Sequence, residues 1–494
     1  MGSMISSMIG GTQRVPPTAP ADEVLSVHPF DDTATMRGFT LVWTFRFDDV
    51  LDPDMLGKSL SELLSMDGWR KLGGRLRVGS NGKVEIHVPR EYSEERPALH
   101  FTKQHFDISI EEHAEASKLP KPTGVPATFP SARHYLGLAQ GPGAPQTFND
   151  FVRSDLPQFA LHVVTFTDAT LVSVTFNHVT SDLGGFASLL KAWACVLAGK
   201  PEDVPQFVGY KEDPMAAMYE APDVTMPAIA DKQLAGWRLI VWALRQAVAT
   251  WWSPLESRIL CIPKKVADAV ILEARSHLTS SATSGESKAF LSENDVLVAL
   301  VNRLFGSQSP PDKGLVTLLA MDPRERLSSI FRKGAAYLQN AAIAVFIECK
   351  AGTAAQLPLG QLALQSREAI TAGCTEESMK SLAAFVHKSI IETGNPGLFG
   401  GMGDTFLVVS NWSKAALLDT LDLSPAIVKP SAKKKGGSKP GFPVYYHSQS
   451  VQPSVLPMLV TIVMGRDGDG NLWIQGDYPA DIWSALMEYL QTRG

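Results

Sequence analysis

The sequence predicts an α/β or α+β protein made of two lobes, each combining mixed sheet and helices. The chain has 494 residues, which is long for a single hydrophobic core, so we expect two domains. Strand-like and helix-like segments are mixed in both halves, on either side of a proline-rich connector over residues 201–230. Hydrophobic residues make up 45% of the chain and charged residues 19%, as is typical of globular proteins with large cores.

Changes in composition predict the borders of these lobes. Residues 1–22 are rich in Gly, Ser, Pro and Met, and we expect them to form a disordered head. The N-terminal lobe is predicted over 23–215 and the C-terminal lobe over 257–494. A crossover over 216–256 connects them and contains an apolar helix.

The charge and the cysteine usage exclude several classes of protein. A net charge of −6 argues against a nucleic-acid-binding protein, which normally has a basic balance. The four cysteines are far apart and form no Cys-x-x-Cys pair, so we expect reduced, buried thiols in a cytoplasmic protein. The N-terminus lacks the basic and long apolar regions of a secretory signal. Its first residues, MGSMIS, match the loose myristoylation pattern, and a flexible head is the alternative interpretation.

The N-terminal half begins with elements whose patterns are local and clear. Residues 39–47 form an apolar strand pattern, and 52–66 place leucines at helical spacing after an Asp-Pro start. Residues 69–88 predict a glycine-containing turn and then two strands joined by Ser-Asn-Gly. The proline- and glycine-rich stretch 118–146 predicts a long loop over the surface.

A hairpin over 159–179 leads to the first candidate site. In its second strand Val172, Val174 and Phe176 alternate with polar residues, which predicts a strand with one buried face. His178 lies at the end of this strand, and two glycines and an amphipathic helix follow. A strand end holds a side chain rigidly at the edge of a sheet, and glycines let a helix or a ligand come close.

The apolar segment 234–252 in the crossover resembles a membrane span at first sight. Arg238 and Arg245 interrupt it, and each arginine is costly at the centre of a bilayer. We therefore expect a helix with a wide apolar face docked on the protein. Shallow contact with a membrane surface is the alternative.

The C-terminal half predicts a second series of strands and helices. The segments that carry these patterns are 257–263, 264–278, 292–305, 315–327, 341–349, 404–412 and 459–465. The tract 431–441, with several lysines and glycines, predicts a mobile basic loop.

Two His-x-x-x-Asp pairs occur in the chain. His28 and Asp32 lie in a proline-containing stretch after the flexible head, so we interpret His28 as an ordinary surface histidine. His178 and Asp182 follow a well-formed strand. With a pKa of about 6.5, such a histidine is mostly neutral at pH 7. It can therefore accept a proton from a hydroxyl or an amine. The alternatives are a core histidine and an aspartate that only caps the next helix.

Six short motifs stand in a fixed order from about residue 25 onward. They are LGGRLR (72–77), NHVTSDLGG (177–185), SENDVLVAL (292–300), DPRERL (322–327), YLQNAA (337–342) and SNW (410–412). Together they resemble the motif series of the BAHD-type acyl-CoA-dependent acyltransferases, enzymes common in fungal secondary metabolism. No single motif is specific, but their shared order is.

The resemblance implies a chloramphenicol-acetyltransferase-like fold of two similar lobes with a tunnel between them. Acyl-CoA is the implied cosubstrate and enters from one mouth, while a small-molecule acceptor enters from the other. His178 is the implied general base that takes the proton from the acceptor. The resemblance implies no covalent enzyme intermediate, no permanently bound cofactor and no metal. The habit of the family also implies a monomer. From the charge, the cysteines and the interrupted apolar segment, we expect a cytoplasmic protein without a nucleic-acid or membrane partner.

The resemblance also gives roles to other residues. Asp182 turns away from the substrate and pairs with an arginine, for which Arg324 is the preferred candidate and Arg326 the alternative. The residues implied to bind acyl-CoA or substrate are Ser410, Asn411, Trp412, Asn340, Gly184 and Gly185. The basic tract offers Lys433, Lys434, Lys435 and Lys439 to the CoA phosphates, or else faces water. Trp412 as a core residue is the alternative for the SNW strand end.

The sequence departs from the family pattern at three places. The D-F-G-W-G segment is reduced to LDLSPAIVKP over 421–430, which keeps Asp422 but loses the aromatic residues and glycines. Leu183 and Gln339 stand where the family has small residues, and we expect them to narrow the CoA side of the tunnel. These losses leave three alternatives open: cyclisation or pericyclic rearrangement of a polyketide-like intermediate, carrier-protein-dependent condensation, and a decayed member that only binds. The intact pair of His178 and Asp182 argues against the last.

Overall fold

The computed structural model describes residues 19, 21–221, 225–227, 229–279, 290–432, 439–454 and 458–493. Residues 1–18 and 20 of the predicted head at 1–22, and Lys433, Lys434 and Lys435 of the basic tract, lie outside these residues. Strands and helices are mixed in both halves of the chain, as the sequence predicts.

The strands form two large mixed sheets and three small ones. The strands are β1 (Glu23–Ser26), β2 (Thr40–Phe47), β3 (Val50–Leu51), β4 (Arg75–Val78), β5 (Val84–Val88), β6 (His100–His105), β7 (Ala127–Pro130), β8 (Phe159–Thr165), β9 (Thr170–Asn177), β10 (Phe207–Val208), β11 (Leu255–Ile262), β12 (Gly314–Met321), β13 (Ala336–Tyr337), β14 (Ile343–Lys350), β15 (Thr405–Asn411), β16 (Ile427–Lys429), β17 (Tyr445–Ser450), β18 (Leu459–Arg466) and β19 (Leu472–Pro479). A five-stranded sheet has the order β17-β2-β9-β8-β6, and a seven-stranded sheet has the order β14-β12-β15-β18-β19-β11-β7.

The helices cover these sheets. They are α1 (Ala34–Arg37), α2 (Pro53–Leu63), α3 (Leu136–Ala139), α4 (Phe148–Val152), α5 (Leu183–Leu197), α6 (Ala216–Tyr219), α7 (Trp237–Trp252), α8 (Lys264–Thr279), α9 (Glu293–Ser307), α10 (Ala351–Gln356), α11 (Leu359–Gly373), α12 (Glu376–Thr393), α13 (Leu417–Thr420) and α14 (Ala480–Gln491). Apolar residues of α2 and α5 pack against the five-stranded sheet in one large core cluster. Helices α8, α9, α11 and α14 build a second core against the seven-stranded sheet.

Local sequence signals explain the elements that hold the candidate site. Asp52 caps α2 by accepting hydrogen bonds from the backbone N–H groups of Asp54 and Met55, at 2.9 and 3.2 Å. Trp193 of α5 donates its indole N–H to Ser59 Oγ of α2 over 2.9 Å, so the two helices are joined inside the core. Helix α5 is thereby fixed under the sheet whose strand β9 leads to His178.

The predicted surface loop at 118–146 is wrong in part. Residues 127–130 form β7 and pair antiparallel with β11, so they extend the seven-stranded sheet. Helix α3, at 136–139, packs over β9 and β2. Pairing with a strand more than a hundred residues away has no local signature, so proline and glycine content alone pointed to a loop.

The prediction of a single buried face for the strand before His178 is also wrong. Every residue of β9 is buried, including Ser173, Thr175 and Asn177. The polar face is satisfied within the sheet, because Ser173 and Thr44 of β2 share a hydrogen bond of 3.0 Å between their hydroxyls. Helix α3 covers this face, where its Ala139 packs in one cluster with Val42 of β2.

The chain is not divided between the two lobes at a single border, because each half contributes a strand to the sheet of the other. Strand β7 comes from the first half but belongs to the seven-stranded sheet, and β17 comes from the second half but pairs with β2. The predicted lobes of 23–215 and 257–494 therefore each lend a strand to the other. Each exchanged strand lies at the edge of the sheet that receives it.

Helix α7 occupies the predicted crossover, but its apolar face does not dock. Only Trp242 is buried, against Val316 of β12 and Phe406 of β15. Most other large apolar side chains of α7 point into solvent. Within the described ranges, no helix is both long enough and apolar enough to cross a bilayer.

Candidate active site

The backbone around His178 is held by the end of the β2–β9 pair. The His178 N–H donates to the carbonyl of Phe39 over 2.8 Å, which extends the ladder by one residue. The Asn177 side chain accepts from the Val179 N–H at 3.1 Å and lies near the Arg37 carbonyl at 3.3 Å. The chain therefore turns sharply after the strand, and these hydrogen bonds hold the backbone of His178 in place.

The His178 ring is half-buried beside the ring of Phe39, with 6.4 Å between their centroids. Its Nδ1 is buried and has no hydrogen-bond partner among the described residues, whereas Nε2 is not sealed in this way. Burial lowers the pKa of His178 below its ordinary value of 6.5, although Asp182 and Asn340 partly oppose this effect. The ring is therefore neutral at pH 7, with a ring nitrogen available to accept a proton.

Asp182 caps helix α5 and makes an ion pair at the same time. One carboxylate oxygen accepts from the Gly185 N–H at 3.0 Å and from Arg324 Nη2 at 2.9 Å. The other accepts from the Ala341 N–H at 2.9 Å. Burial alone would raise the pKa of Asp182, but Arg324 and these N–H groups lower it below its ordinary value. Asp182 is therefore ionised, and both of its carboxylate oxygens already accept hydrogen bonds.

Arg324 joins two segments that are far apart in sequence. Besides Asp182, its guanidinium donates to Asp322 at 3.0 Å, to the Tyr337 carbonyl at 3.1 Å and to the Gln339 carbonyl. A planar guanidinium with several donors suits such a junction better than a lysine. The other predicted candidate, Arg326, is exposed and makes no contact with Asp182 among the described residues.

The two glycines after Asp182 serve close packing. A Cβ on Gly184 would lie 2.4 Å from an Asp322 oxygen and 2.7 Å from Arg324 Nη1. A Cβ on Gly185 would lie 2.3 Å from the Leu338 carbonyl oxygen. These positions therefore let α5 pack closely against the neighbouring segment, and their contact with acyl-CoA or substrate stays a prediction.

Asn340 connects the histidine loop to an aspartate that sequence reasoning missed. Its side-chain NH₂ donates to the His178 carbonyl at 2.9 Å and to Asp31 at 2.7 Å, and its backbone N–H donates to the same carboxylate at 2.6 Å. Burial raises the pKa of Asp31 to about 7. Asp31 and Asn340 are 309 positions apart, so no local pattern could have paired them.

A buried lysine accompanies this aspartate. Lys71 donates to the Gly209 carbonyl at 3.0 Å, and burial lowers its pKa to about 8 while Asp31 opposes that shift. Both residues line a small cavity of about 20 Å³ together with Gln158 and Gln339. A cavity of this size, with these polar side chains in its otherwise apolar wall, has room for about one ordered water.

Gln339 replaces a small residue of the family motif, and its side chain is buried. Its side-chain NH₂ donates to the Gly209 carbonyl, and Gly209 has a φ of 96°, where a side chain would also collide with Gln339. The Gln339 side chain is also part of the wall of the small cavity. Leu183, the other enlarged position, packs partly against the first core cluster.

The interpretation of His28 as a surface residue is wrong. His28 is buried, and desolvation lowers its pKa below 6.5, with Lys71 adding to the effect. Asp32 is also buried; it pairs with Arg37 at 2.6 Å and accepts from the Val84 N–H at 3.0 Å. This second His-x-x-x-Asp pair supports the fold next to the site, because the stretch after the head packs inward.

The SNW motif lies at the end of β15. Trp412 is buried, donates its indole N–H to Ser410 Oγ over 2.9 Å and packs against Trp43 of β2 at 4.7 Å between ring centroids. Asn411 donates to Asn294 of the SENDV motif at 2.8 Å. No contact of these three residues with His178 occurs among the described residues. The core interpretation therefore holds for Trp412, which joins the two sheets.

Two further segments were candidates for binding CoA. Lys439 is exposed and pairs with Asp419 at 2.9 Å, so its charge already has a partner. In the altered D-F-G-W-G region, Asp422 accepts from the Ser424 N–H at 2.9 Å and residues 427–429 form β16 against β3. The region keeps an ordered shape without its family aromatic residues.

Comparison with known proteins places this chain in a family. A model of the Transferase family matches residues 145–422, more than half of the 494-residue chain. O-acetyltransferase PaAT-2 of Phomopsis amygdali is 32% identical over 96% of this chain and 99% of its own length. A protein named transcriptional regulator calD, of Penicillium decumbens, is 33% identical over 97% of each chain. The chain belongs to the Transferase family and is a BAHD-type acyltransferase.

A solved structure shares the fold. TRI101 of F. sporotrichioides, complexed with coenzyme A and T-2, matches with a TM-score of 0.63 and 12% sequence identity. The match covers 94% of this chain and 97% of that chain. The two-lobed fold implied by the resemblance is thereby confirmed.

Proposed function

We propose that this protein transfers an acyl group from acyl-CoA to a hydroxyl or amine of a secondary metabolite, with His178 as general base. The observation that carries the proposal is the neutral, half-buried imidazole of His178, fixed at the end of β9 beside an ion pair of Asp182 and Arg324. The relatives support it, since PaAT-2 is named an O-acetyltransferase and TRI101 was solved with coenzyme A and T-2.

The chemistry needs one proton acceptor and two positioned substrates. The acceptor O–H gives its proton to Nε2 of His178 while its oxygen attacks the thioester carbonyl. The tetrahedral oxyanion then collapses, the C–S bond breaks, and the imidazolium returns the proton to the CoA thiolate. A well-placed general base contributes about 10²–10⁴ in rate, or about 3–5.5 kcal/mol. Holding both substrates in one tunnel contributes further by removing their translational freedom.

Asp182 has a positioning role in this proposal. Both of its oxygens are already used by Arg324, Gly185 and Ala341, so it does not take the proton from the substrate. Asn340 acts in the same way, since it holds the His178 carbonyl. These bonds define the direction of the imidazole before substrates bind.

The binding half of the proposal is tested by thermal stability with acetyl-CoA and longer acyl-CoAs. A ligand at about 100 times its Kd stabilises a folded protein by about 2.7 kcal/mol, which gives a clear rise in Tm. Coenzyme A without an acyl group separates recognition of the nucleotide from recognition of the acyl chain. The absence of any shift with all of these ligands would overturn acyl-CoA as the cosubstrate.

The catalytic half is tested by His178→Ala and His178→Gln. We expect release of free CoA thiol, measured with acetyl-CoA and a panel of lipophilic alcohols, to fall by about 10²–10⁴ in both variants. The rise in Tm with acetyl-CoA should persist, because the hydrogen bonds that hold this loop use the backbone of His178 and not its ring. His105→Gln, which changes an exposed histidine on the edge strand β6, is the control. Full turnover in His178→Ala would refute the base assignment.

A second candidate is chemistry without CoA, such as cyclisation or pericyclic rearrangement of a polyketide-like intermediate in the same tunnel. The loss of the aromatic and glycine residues over 421–430 favours it, since that segment departs most from the family. A carrier-protein-dependent condensation is distinguished by its donor, an acyl-carrier protein. Regulation of transcription, as in the name of calD, has little support here, because the net charge of −6 does not suit DNA binding.

A further inference from the structure

Helix α7 carries a large apolar face that nothing in the described structure covers. Its largest side chains there are strongly exposed, with 85% of Trp251 and 84% of Trp252 accessible to solvent. The large exposed members of this face are Trp237, Ile240, Leu244, Val248, Trp251 and Trp252. Soluble proteins rarely expose so many large apolar residues on one element without a partner.

These six residues form one continuous arc along the whole helix, and Leu239, which is less exposed, lies outside it. At about 100° per residue, they fall within about 120° of the helix circumference, from Ile240 on one side to Trp252 on the other. Trp242, which anchors α7 on β12 and β15, lies about 80° beyond the Trp252 edge. The helix is therefore anchored on one side while its apolar arc points away from the protein.

The charges of α7 are all positive. Arg238 and Arg245 lie next to the arc, between its Trp252 edge and the anchored side, and α7 contains no acidic residue. Neither arginine has an acidic partner among the described residues; Arg245 only approaches the Met402 carbonyl at 3.4 Å. The arrangement is an apolar face bordered by free cations, which complements a surface with negative headgroups above an apolar layer.

The residue types at the ends of the arc also suit a surface of headgroups above an apolar layer. Trp237 stands at the first position of α7, and Trp251 and Trp252 stand at the last two. Tryptophan prefers the boundary between headgroups and hydrocarbon, because its ring is apolar and its indole N–H is polar. With 16 residues, α7 is about 24 Å long, too short to cross a bilayer but sufficient to lie in its surface.

We propose that the exposed arc of α7 docks this protein on a membrane surface that contains anionic lipid. The helix lies in the plane of the surface, with the arc among the outer acyl chains and Arg238 and Arg245 at the headgroups. This docking does not depend on the proposed acyl transfer.

A protein partner explains the arc less well. Protein interfaces carry about one hydrogen bond per 100–200 Å² of buried surface. Within the arc, the indole N–H groups are the only side-chain hydrogen-bonding groups, so a protein partner would find few polar contacts there. The arc is also a convex helix face, which fits a deformable lipid layer and would need a matching groove on a protein.

The test is flotation of the full chain with vesicles of phosphatidylcholine alone or of phosphatidylcholine mixed with phosphatidylserine. We expect retention by the mixed vesicles that weakens with salt. Trp251→Gln/Trp252→Gln and Ile240→Gln/Leu244→Gln should each lower the partition coefficient by about tenfold or more. Arg238→Gln/Arg245→Gln should reduce binding to the mixed vesicles to the level of phosphatidylcholine alone.

The control is Ile391→Gln, which changes an equally exposed apolar residue on α12 and should leave retention unchanged. Circular dichroism establishes that all variants are folded. The proposal is overturned if the parent is not retained by either vesicle type, or if the α7 variants float as well as the parent. It is also overturned if light scattering without lipid shows a dimer that Trp251→Gln/Trp252→Gln separates, because α7 then binds a second copy of the chain.

Discussion

Single residues decide the chemistry of this site through their burial and partners. His178 was found from sequence because a strand pattern and two glycines surround it, and its ring is placed at the strand end as expected. Asp31 was missed, although it lies in the same short stretch as His28, because its partner Asn340 is distant in sequence. Burial, which the sequence does not show, changes both residues: it lowers one pKa and raises the other.

The acid limb of the rate profile follows from the His178 pKa. The base is active when neutral, and burial lowers its pKa below 6.5, so kcat/KM should rise with pH through a value below 6.5 and be level by pH 7. The measurement is CoA release from acetyl-CoA across the pH range with the best acceptor of the panel. A limb centred above 6.5 would contradict a desolvated imidazole as the base.

The two arginines of the DPRERL motif allow a matched comparison of the free energy of unfolding. Arg324→Gln leaves the Asp182 carboxylate buried without its cation, which should cost about 3–5 kcal/mol of the free energy of unfolding. Arg326→Gln changes an exposed side chain and should behave like the parent. Urea unfolding at pH 7 measures both.

The same ion pair has a defined pH dependence. Because the pKa of Asp182 is lowered in the folded state, the stabilisation is present above the unfolded value of about 3.9 and is lost as pH falls below it. The loss of stability at acid pH should therefore be smaller in Arg324→Gln than in the parent. Equal stability of the two arginine variants at pH 7 would refute the positioning role of the pair.

At the scale of elements, the sequence predicted what local patterns encode. The Asp-Pro start placed α2, and the Ser-Asn-Gly turn placed β4 and β5, with Gly82 at a φ of 77° as such a turn requires. It failed where an element is defined by a distant partner: β7 exists because β11 lies beside it, and β9 is buried on both faces because α3 covers it. The α7 pattern predicted a helix correctly, but apolar periodicity cannot tell a protein-facing face from one that faces outward.

At the scale of the whole molecule, the two sheets share one core. Trp43 of β2 packs against Trp412 and Tyr446 of the second half, at 4.7 and 6.3 Å between ring centroids. Ile259 and Trp473 of the seven-stranded sheet belong to the same buried cluster. The family fold could be predicted from motif order, but this shared core could not, since it depends on strands that each half lends to the other.

This exchange predicts that the halves do not fold separately. A polypeptide of residues 23–215 lacks β17, so β2 becomes an unpaired edge and β7 has no partner. One of 257–494 loses β7 and leaves Trp412 without Trp43. We expect neither half to give a near-ultraviolet circular dichroism signal or a cooperative melt, whereas the full chain should unfold in a single transition by calorimetry and tryptophan fluorescence. Two well-separated transitions in the full chain, or a folded N-terminal half, would show that the shared core contributes less than the separate lobes do.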